Sequence, residues 1–476
     1  MRLKQLSLVL AATFAASTAH AGFDLLGIGS LSATAHDLSG QSGLLENGVA
    51  GDLLGGMGSG LAWAGGNTFL ALPDRGPNAV TYNTSIDNTT SYIARFQTIN
   101  LAVSQTASGY SVTPTLTGTT MLWSDTPLTY GAGAAPSINT TSKYYFTGRS
   151  DGFGAGNSLI SSNARLDTEG IRVSNDGKTV FVSDEYGPYV YQFDRSTGQR
   201  LRTFAVPSHL AATTPAATET SEIAANTVGR VTNKGMEGLA ITPDGKTLVG
   251  IMQSPLLQDN ALTSTGKKNG VNVRIVTIDI ESGSTKEYVY QLSSKSNTVS
   301  EIVALSNTKF IVDERTGDGL GDGTAATTKL LTQIDISTAT DVSNVTTLPA
   351  TGLPSGVTAV SKTTVQNLVD TLGAAGISAD RVPAKIEGVA LAKITTTEGQ
   401  TLSVGVVAND NDFLSTATLP GGTVVSNPNQ FYLFGLSGLQ QAAFVAQDIS
   451  AVPEPASYAL MLGGLAAMGV VARRRR

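Results

Sequence analysis

Carboxylates recur along this chain at the ends of paired strand-like runs, an arrangement suited to collecting hard cations and moving protons. The copies read Ser59-Gly60-Leu61-Ala62-Trp63 to Asp74, Glu169-Gly170-Ile171-Arg172-Val173 to Asp184-Glu185, and Glu237-Gly238-Leu239-Ala240-Ile241 to Gln253. Two more follow, Glu301-Ile302-Val303-Ala304-Leu305 to Asp313-Glu314 and Glu387-Gly388-Val389-Ala390-Leu391 to Asn409-Asp410-Asn411-Asp412. In two copies a tight turn, Asn175-Asp176-Gly177-Lys178 or Pro243-Asp244-Gly245-Lys246, joins the runs as in a β-hairpin. An antiparallel pair brings the start of its first strand and the end of its second to one edge, so every hairpin delivers its acids to the same rim.

Hard divalent cations take six to eight oxygen ligands each, and these acids suffice for two ions or more. Asp74, Asp184, Glu185, Asp313, Glu314, Asn409 and Asp410 are the expected ligands. Glu169, Glu237 and Glu387 open three hairpins in the same acid-glycine context and are the expected catalytic groups. Arg75, Lys234, Arg315 and Lys385 lie beside motif acids. They suit either clamps on a phosphorylated substrate or counter-ions for a crowded acidic rim. Asp151 to Asn157 and Asp318 to Gly323 are further Gly/Asp loops with the composition of surface Ca²⁺ loops or flexible turns. A serine-hydrolase arrangement fits badly, because Gly58-Ser59-Gly60 is not a Gly-x-Ser-x-Gly elbow and no histidine lies within the motifs.

The elements that must position these residues read as strands. Glycine numbers 52, and apolar residues alternate in short runs such as Thr179-Val180-Phe181-Val182 and Lys309-Phe310-Ile311-Val312. Matching the copies at Gly60, Gly170, Gly238, Ile302 and Gly388 leaves intervals of 110, 68, 64 and 86 residues. A four-stranded blade fits the shorter intervals, and the longest has room for an additional blade near Lys143-Tyr144-Tyr145-Phe146-Thr147. The expectation is an all-β chain folded as a β-propeller of about six blades, with an insertion over Asp341 to Arg381 carrying a short helix at Lys362 to Leu372.

Both ends read as targeting segments. Met1 to Ala21 has Arg2 and Lys4, an apolar stretch, and Ala19-His20-Ala21, the pattern of a secretory signal peptide. At the other end Val452-Pro453-Glu454-Pro455 precedes an apolar segment closed by Arg473 to Arg476, which resembles the PEP-CTERM sorting signal of Gram-negative bacteria. The expected partition is 1-21 as signal, 22-451 as the folded domain and 452-476 as the sorting signal. The chain carries 31 basic and 37 acidic residues. Setting aside Arg2, Lys4 and Arg473 to Arg476 against Glu454 leaves 25 and 36, or −11, a balance that disfavours nucleic acid. There is no cysteine, which excludes disulfides and thiolate-bound zinc.

The segments Gly58-Ser59-Gly60-Leu61 with Leu72-Pro73-Asp74-Arg75-Gly76-Pro77-Asn78, Asp167-Thr168-Glu169-Gly170-Ile171 with Ser183-Asp184-Glu185-Tyr186-Gly187-Pro188, Asn233-Lys234-Gly235-Met236-Glu237-Gly238-Leu239, and Lys385-Ile386-Glu387-Gly388-Val389 with Asn409-Asp410-Asn411-Asp412 resemble the family known as esterase-like activity of phytase. The resemblance implies a propeller-type fold, secretion, Ca²⁺ with Mg²⁺ as the alternative ion, and a phosphoesterase or esterase activity on a small phosphorylated or ester substrate. The sorting tail implies an exosortase-type processing partner, contact with a membrane only through its apolar helix, and export to the periplasm, outer surface or extracellular matrix. Two functions stay open on the sequence: a metal-dependent phosphoric-ester hydrolase, and a non-catalytic Ca²⁺-stabilised propeller binding a glycan or matrix partner at the cell surface.

Overall fold

The hairpin turns form as their residues require. Gly177 and Gly245 take positive φ values of 71° and 72°, open to glycine at little cost. The Asp176 and Asp244 carboxylates accept the amides of Lys178 and Lys246, each at 3.1 Å. In this computed structural model, which describes residues 22–79, 89–131, 134–150 and 156–449, such hairpins extend into five four-stranded antiparallel sheets.

In chain order, the first blade is Gly60–Trp63, Thr68–Leu72, Arg95–Thr106 and Gly109–Met121. The second is Thr168–Val173, Thr179–Asp184, Tyr189–Asp194 and Arg200–Phe204, and the third Met236–Ile241, Thr247–Met252, Asn272–Asp279 and Thr285–Gln291. The fourth is Thr298–Ala304, Lys309–Arg315, Lys329–Asp335 and Ser361–Asn367. The fifth takes Ile386–Thr395, Thr401–Asn409 and Asn429–Leu436, and its outermost strand is the N-terminal Phe23–Leu31, antiparallel to Asn429–Leu436. The first strands of all five blades touch in cyclic order, the first blade meeting both the second and the fifth. The protein is therefore a closed β-propeller of five blades, its ring fastened by the chain's own beginning.

The apolar core is divided among the joints between blades. Met236, Leu239 and Ile251 of the third blade pack with Phe181 and Val190 of the second and Val299 and Ile302 of the fourth. Leu61 and Phe69 of the first meet Ala390 and Val406 of the fifth. Each burial of such a side chain contributes about 1.5–3 kcal/mol, so the ring holds only while neighbouring blades cover one another's faces.

Two local expectations are corrected. The segment near Tyr144 makes no additional blade; Tyr144–Tyr145 pairs with Trp123–Ser124 as a two-stranded ribbon. The helix expected over Lys362 to Leu372 begins only at Leu368, with the Asn367 side chain accepting from the Val369 amide at its N-terminus. Residues Ser361–Asn367 are instead the outer strand of the fourth blade. Edge pairing with Lys329–Asp335 overrides a composition that carries little strand signal of its own.

Candidate functional site

Four of the five first strands enter the propeller through an irregularity of register. In the second, third, fourth and fifth blades the pairing slips between Thr168 and Ile171, Met236 and Gly238, Val299 and Glu301, and Ile386 and Val389. A bulge of this kind re-aims one side chain. By register the re-aimed residues are Glu169, Glu237, Ser300 and Glu387, with Ser59 in the equivalent place of the first blade. At or just past the end of each second strand stand Asp74, Glu185, Gln253, Arg315 and Asp410. All of these except Ser300 line one cavity of about 230 Å³ at the mouth of the central channel.

The register also explains the glycine that follows the acid. A Cβ on Gly170 would lie 2.7 Å from the backbone nitrogen of Leu239, and one on Gly238 2.7 Å from that of Ile302. Neighbouring first strands approach too closely there for any side chain. The fourth blade departs from this pattern, because Glu301 occupies the glycine place and Ser300 the acid place. Matching Ile302 with the glycines is thus one residue out of register. Glu301 turns into the axis below the cavity, where Oε1 accepts from the amides of Leu239 at 3.1 Å and Ile302 at 2.9 Å and Oε2 lies 3.0 Å from Arg172. The Arg172 guanidinium also donates to the carbonyls of Leu61 at 2.7 Å, Ile171 at 2.5 Å and Ile302 at 2.8 Å. This ion pair floors the channel. Beyond it, Gln447 donates to the Val173 carbonyl and the Asn175 side chain, each at 2.7 Å, and carries the C-terminal segment across the opposite mouth.

Strand pleating sorts the sequence-predicted ligands. Asp74, Glu185 and Asp410 face the channel, whereas their neighbours turn away, because successive side chains point to opposite faces. Asp184 accepts the amides of Asp167, Tyr186 and Gly187 at 3.0, 3.0 and 3.1 Å. Glu314 accepts from Tyr290, Ser293, Asn297 and Lys362. Asn409 accepts the Gln430 amide at 2.7 Å. Asp313 is buried beside the channel with neither oxygen hydrogen-bonded. These four were expected to reach the rim and do not; in the fourth blade the channel-facing place belongs to Arg315.

The cations are all present in the cavity wall, and three are already engaged by carboxylates. Arg315 donates to Glu387 and to the Ser300 hydroxyl, the latter at 2.6 Å. Lys385 bridges Asp410 at 2.7 Å and Asp412 at 2.5 Å. Arg75 bonds Asn233 and lies 3.6 Å from Asp167. Lys234 donates to the neutral Gln253 at 2.7 Å. Sequence reasoning missed Asp167, Asn233, Lys268 and Thr298 on this wall. A signal for Asp167 existed: it stands two residues before Glu169, the same face of a strand, as Lys385 stands before Glu387.

Two groups of carboxylates converge, Asp74 with Asp410 and Asp412, and Asp167 with Glu169 and Glu185; within each group an oxygen from every member lies within 4.8 Å of the others. Burial, reinforced by the neighbouring acids, raises the pKa of Asp74, Glu169, Glu185 and Glu237 well above the carboxylate range. Asp167 Oδ2 and Glu237 Oε2 are buried and accept no hydrogen bond. An all-oxygen set with buried acceptors left over suits a hard cation and would suit zinc or copper poorly. Among the described residues the imidazoles stand elsewhere, His36 with Asp52 and His209 with Glu287. Of the two Gly/Asp loops, Asp318 is occupied by Thr316 and Thr327, and Asp151 to Ala155 lie outside the described residues.

Fold and site together define the class, a five-bladed propeller with a carboxylate-rich cavity at one mouth of its channel. The chain belongs to the family described as esterase-like activity of phytase, whose profile matches residues 52–413. Residues 451–476 match the PEP-CTERM protein-sorting motif, which implies export to the cell surface and handling by exosortase-type machinery. That tail, the apolar helix expected in it and the signal peptide lie outside the described residues. Among the described residues no helix is long and apolar enough to cross a membrane. An uncharacterized secreted protein of Arthroderma benhamiae is 37% identical over 154 residues, covering 30% of this chain and 29% of that protein. The chain thus spans under a third of this relative's length. Among solved structures, the periplasmic gluconolactonase of Pseudomonas aeruginosa aligns with a TM-score of 0.32 and 12% identity over 87% of this chain and 99% of that one. The hydrazine synthase of Kuenenia stuttgartiensis gives 0.31 and 15% over 78% and 96%. Similarity at this level has no bearing on activity.

Proposed function

We propose that the protein is an exported, metal-dependent phosphoric-ester hydrolase acting at the outer surface or in the extracellular matrix of a Gram-negative bacterium. One observation carries this reading: two carboxylate triads and four cations, Arg75, Lys234, Arg315 and Lys385, face the same cavity. Asp74, Asp410 and Asp412 would hold one divalent cation, and Asp167, Glu169 and Glu185 another. Ca²⁺ fits the hard oxygen set, with Mg²⁺ as the alternative. Bound there, the ion would supply charge neutralisation for phosphoryl oxygens and a more acidic water.

The chain's own groups do the rest. Glu237 lines the cavity and its buried Oε2 accepts no hydrogen bond, which leaves that oxygen available as a proton acceptor or donor. Glu387 is held in place by Arg315 and positions the wall beside it. Arg75 and Lys234 would hold phosphoryl oxygens, while Lys385 balances Asp410 and Asp412.

The test is a screen of phosphate mono- and diesters on the mature protein with and without Ca²⁺ or Mg²⁺. Glu237→Gln is expected to lower turnover about a hundredfold or more, with the circular-dichroism spectrum unchanged. Arg75→Ala should chiefly raise KM for charged esters. Metal binding without hydrolysis of any ester would replace this reading with that of a Ca²⁺-stabilised propeller that binds a glycan or matrix partner.

A further inference from the structure

The channel cavity adjoins a second and wider one of about 400 Å³, and the two share Arg75, Asn78, Asn233, Arg315, Lys385 and Asp412 along their common edge. Beyond that edge the wall changes character. Val49, Pro77, Phe413 and Leu414 supply apolar surface, Asn47 an amide and Asp322 a carboxylate. No further lysine or arginine lines it among the described residues.

This wall is held by an unfavourable backbone. Asp412 and Phe413 both adopt the left-handed region, with φ of 52° and 57°, which residues bearing side chains avoid unless their surroundings impose it. Asn411 imposes it: its Oδ1 accepts from the Gly56 amide at 2.9 Å and the Phe413 amide at 3.2 Å, and its Nδ2 donates to the Asn427 carbonyl at 3.0 Å. The Phe413 ring stands edge-on to Tyr92 at 5.1 Å. A Cβ on Gly55 would fall 2.7 Å from it. One strained turn therefore places Asp412 on Lys385 in the channel and Phe413 in the adjoining wall.

Charge limits what can enter. The channel cavity has eight carboxylates against five lysines and arginines, so two divalent ions that keep every carboxylate ionised would leave a single positive charge. The adjoining cavity adds only the negative Asp322. A single phosphoryl group is the most that this charge can balance, and a second would meet none of the counter-charge that phosphate recognition requires.

We infer that, given the phosphoesterase reading above, the substrate carries one anionic group on an uncharged, partly apolar organic moiety that lies against Phe413 and Leu414, and that it is not a polyphosphorylated ring. Calorimetric titration of the Ca²⁺-loaded mature protein with methylphosphonate, phenylphosphonate and inositol hexakisphosphate tests this independently of turnover. Phenylphosphonate should bind about tenfold or more tighter than methylphosphonate and at least as tightly as the hexakisphosphate. Leu414→Asp should cut the phenyl-over-methyl ratio to below about threefold, and Val49→Lys should do the same if the first variant fails to fold. Equal affinity for the two phosphonates, or tighter binding of the hexakisphosphate, would overturn the inference. Phenyl phosphate left intact while the phenyl preference holds would remove the hydrolase reading and leave the ligand class standing. Inositol hexakisphosphate hydrolysed with the higher kcat/KM would do the reverse.

Discussion

Asp184 and Glu185 are adjacent in the chain and face opposite ways, which separates structural from functional carboxylates experimentally. Asp184 is spent on three backbone amides, and Glu185 lines the cavity. Asp184→Asn should cost about 1–3 kcal/mol in denaturant unfolding and leave Ca²⁺ affinity within about threefold. Glu185→Gln should weaken Ca²⁺ binding about tenfold or more in calorimetry, since it removes one charged ligand from a triad. Asp313 gives a pH signature. Burial pushes its pKa up to about 8, whereas in the unfolded chain it titrates near 3.9. The folded state holds the extra proton between those values, so stability is complete below the unfolded pKa and falls as pH rises toward the folded one. From pH 6 to 8, with chelator present, the wild type should lose about 1–3 kcal/mol more than Asp313→Asn. Parallel slopes in the two proteins would refute the assignment.

At the scale of the elements, the five first strands meet around an axis filled by Arg172 from the second blade and Glu301 from the fourth. Removing one partner leaves the other charged, buried and unpaired. Arg172→Met should therefore cost about 3–5 kcal/mol, and adding Glu301→Gln should recover a substantial part of it. Urea midpoints of the two single variants and the double variant measure the coupling. Additive losses would mean that the two residues act separately. The same bulges that create this geometry aim Glu169, Glu237 and Glu387 at the cavity, so a site on loops would be less rigidly held than this one on strand ends.

For the whole molecule, the carboxylates of one cavity come from four of the five blades, and the fourth joins them through Arg315, which pairs with Glu387 of the fifth. The carboxylates repel one another unless protonated or neutralised by a cation. Ca²⁺ at a hundred times its dissociation constant should stabilise the folded state by about 2.7 kcal/mol per site. The melting temperature should rise accordingly, and chelation should lower it by more than an equivalent rise in NaCl concentration does. An unchanged melting temperature at millimolar Ca²⁺ would argue against the metal. Ring closure makes a second demand, since Phe23–Leu31 supplies the outer strand of the fifth blade and Gln366 hydrogen-bonds both the amide and the carbonyl of Phe23.

The repeated acid-glycine hairpins, the all-β class and the convergence of Asp74, Glu169, Glu185, Glu237, Glu387 and Asp410 were legible in the linear chain, because strand pairing and turn chemistry are local and repeat with each hairpin. The number of blades was legible only to within one, about six against five, since a two-stranded ribbon and a blade have similar short-range patterns. Nor could the chain alone separate Asp184, Asp313, Glu314 and Asn409 from the true channel residues. That choice depends on pleat and register, where a shift of one residue moves a side chain to the opposite face. Glu301 shows the consequence most plainly: its sequence resembles the other copies, but one residue of register sends it to the axis instead of the rim. The adjoining apolar wall was equally hidden, because Val49, Pro77 and Phe413 come from distant segments and meet only when the ring closes.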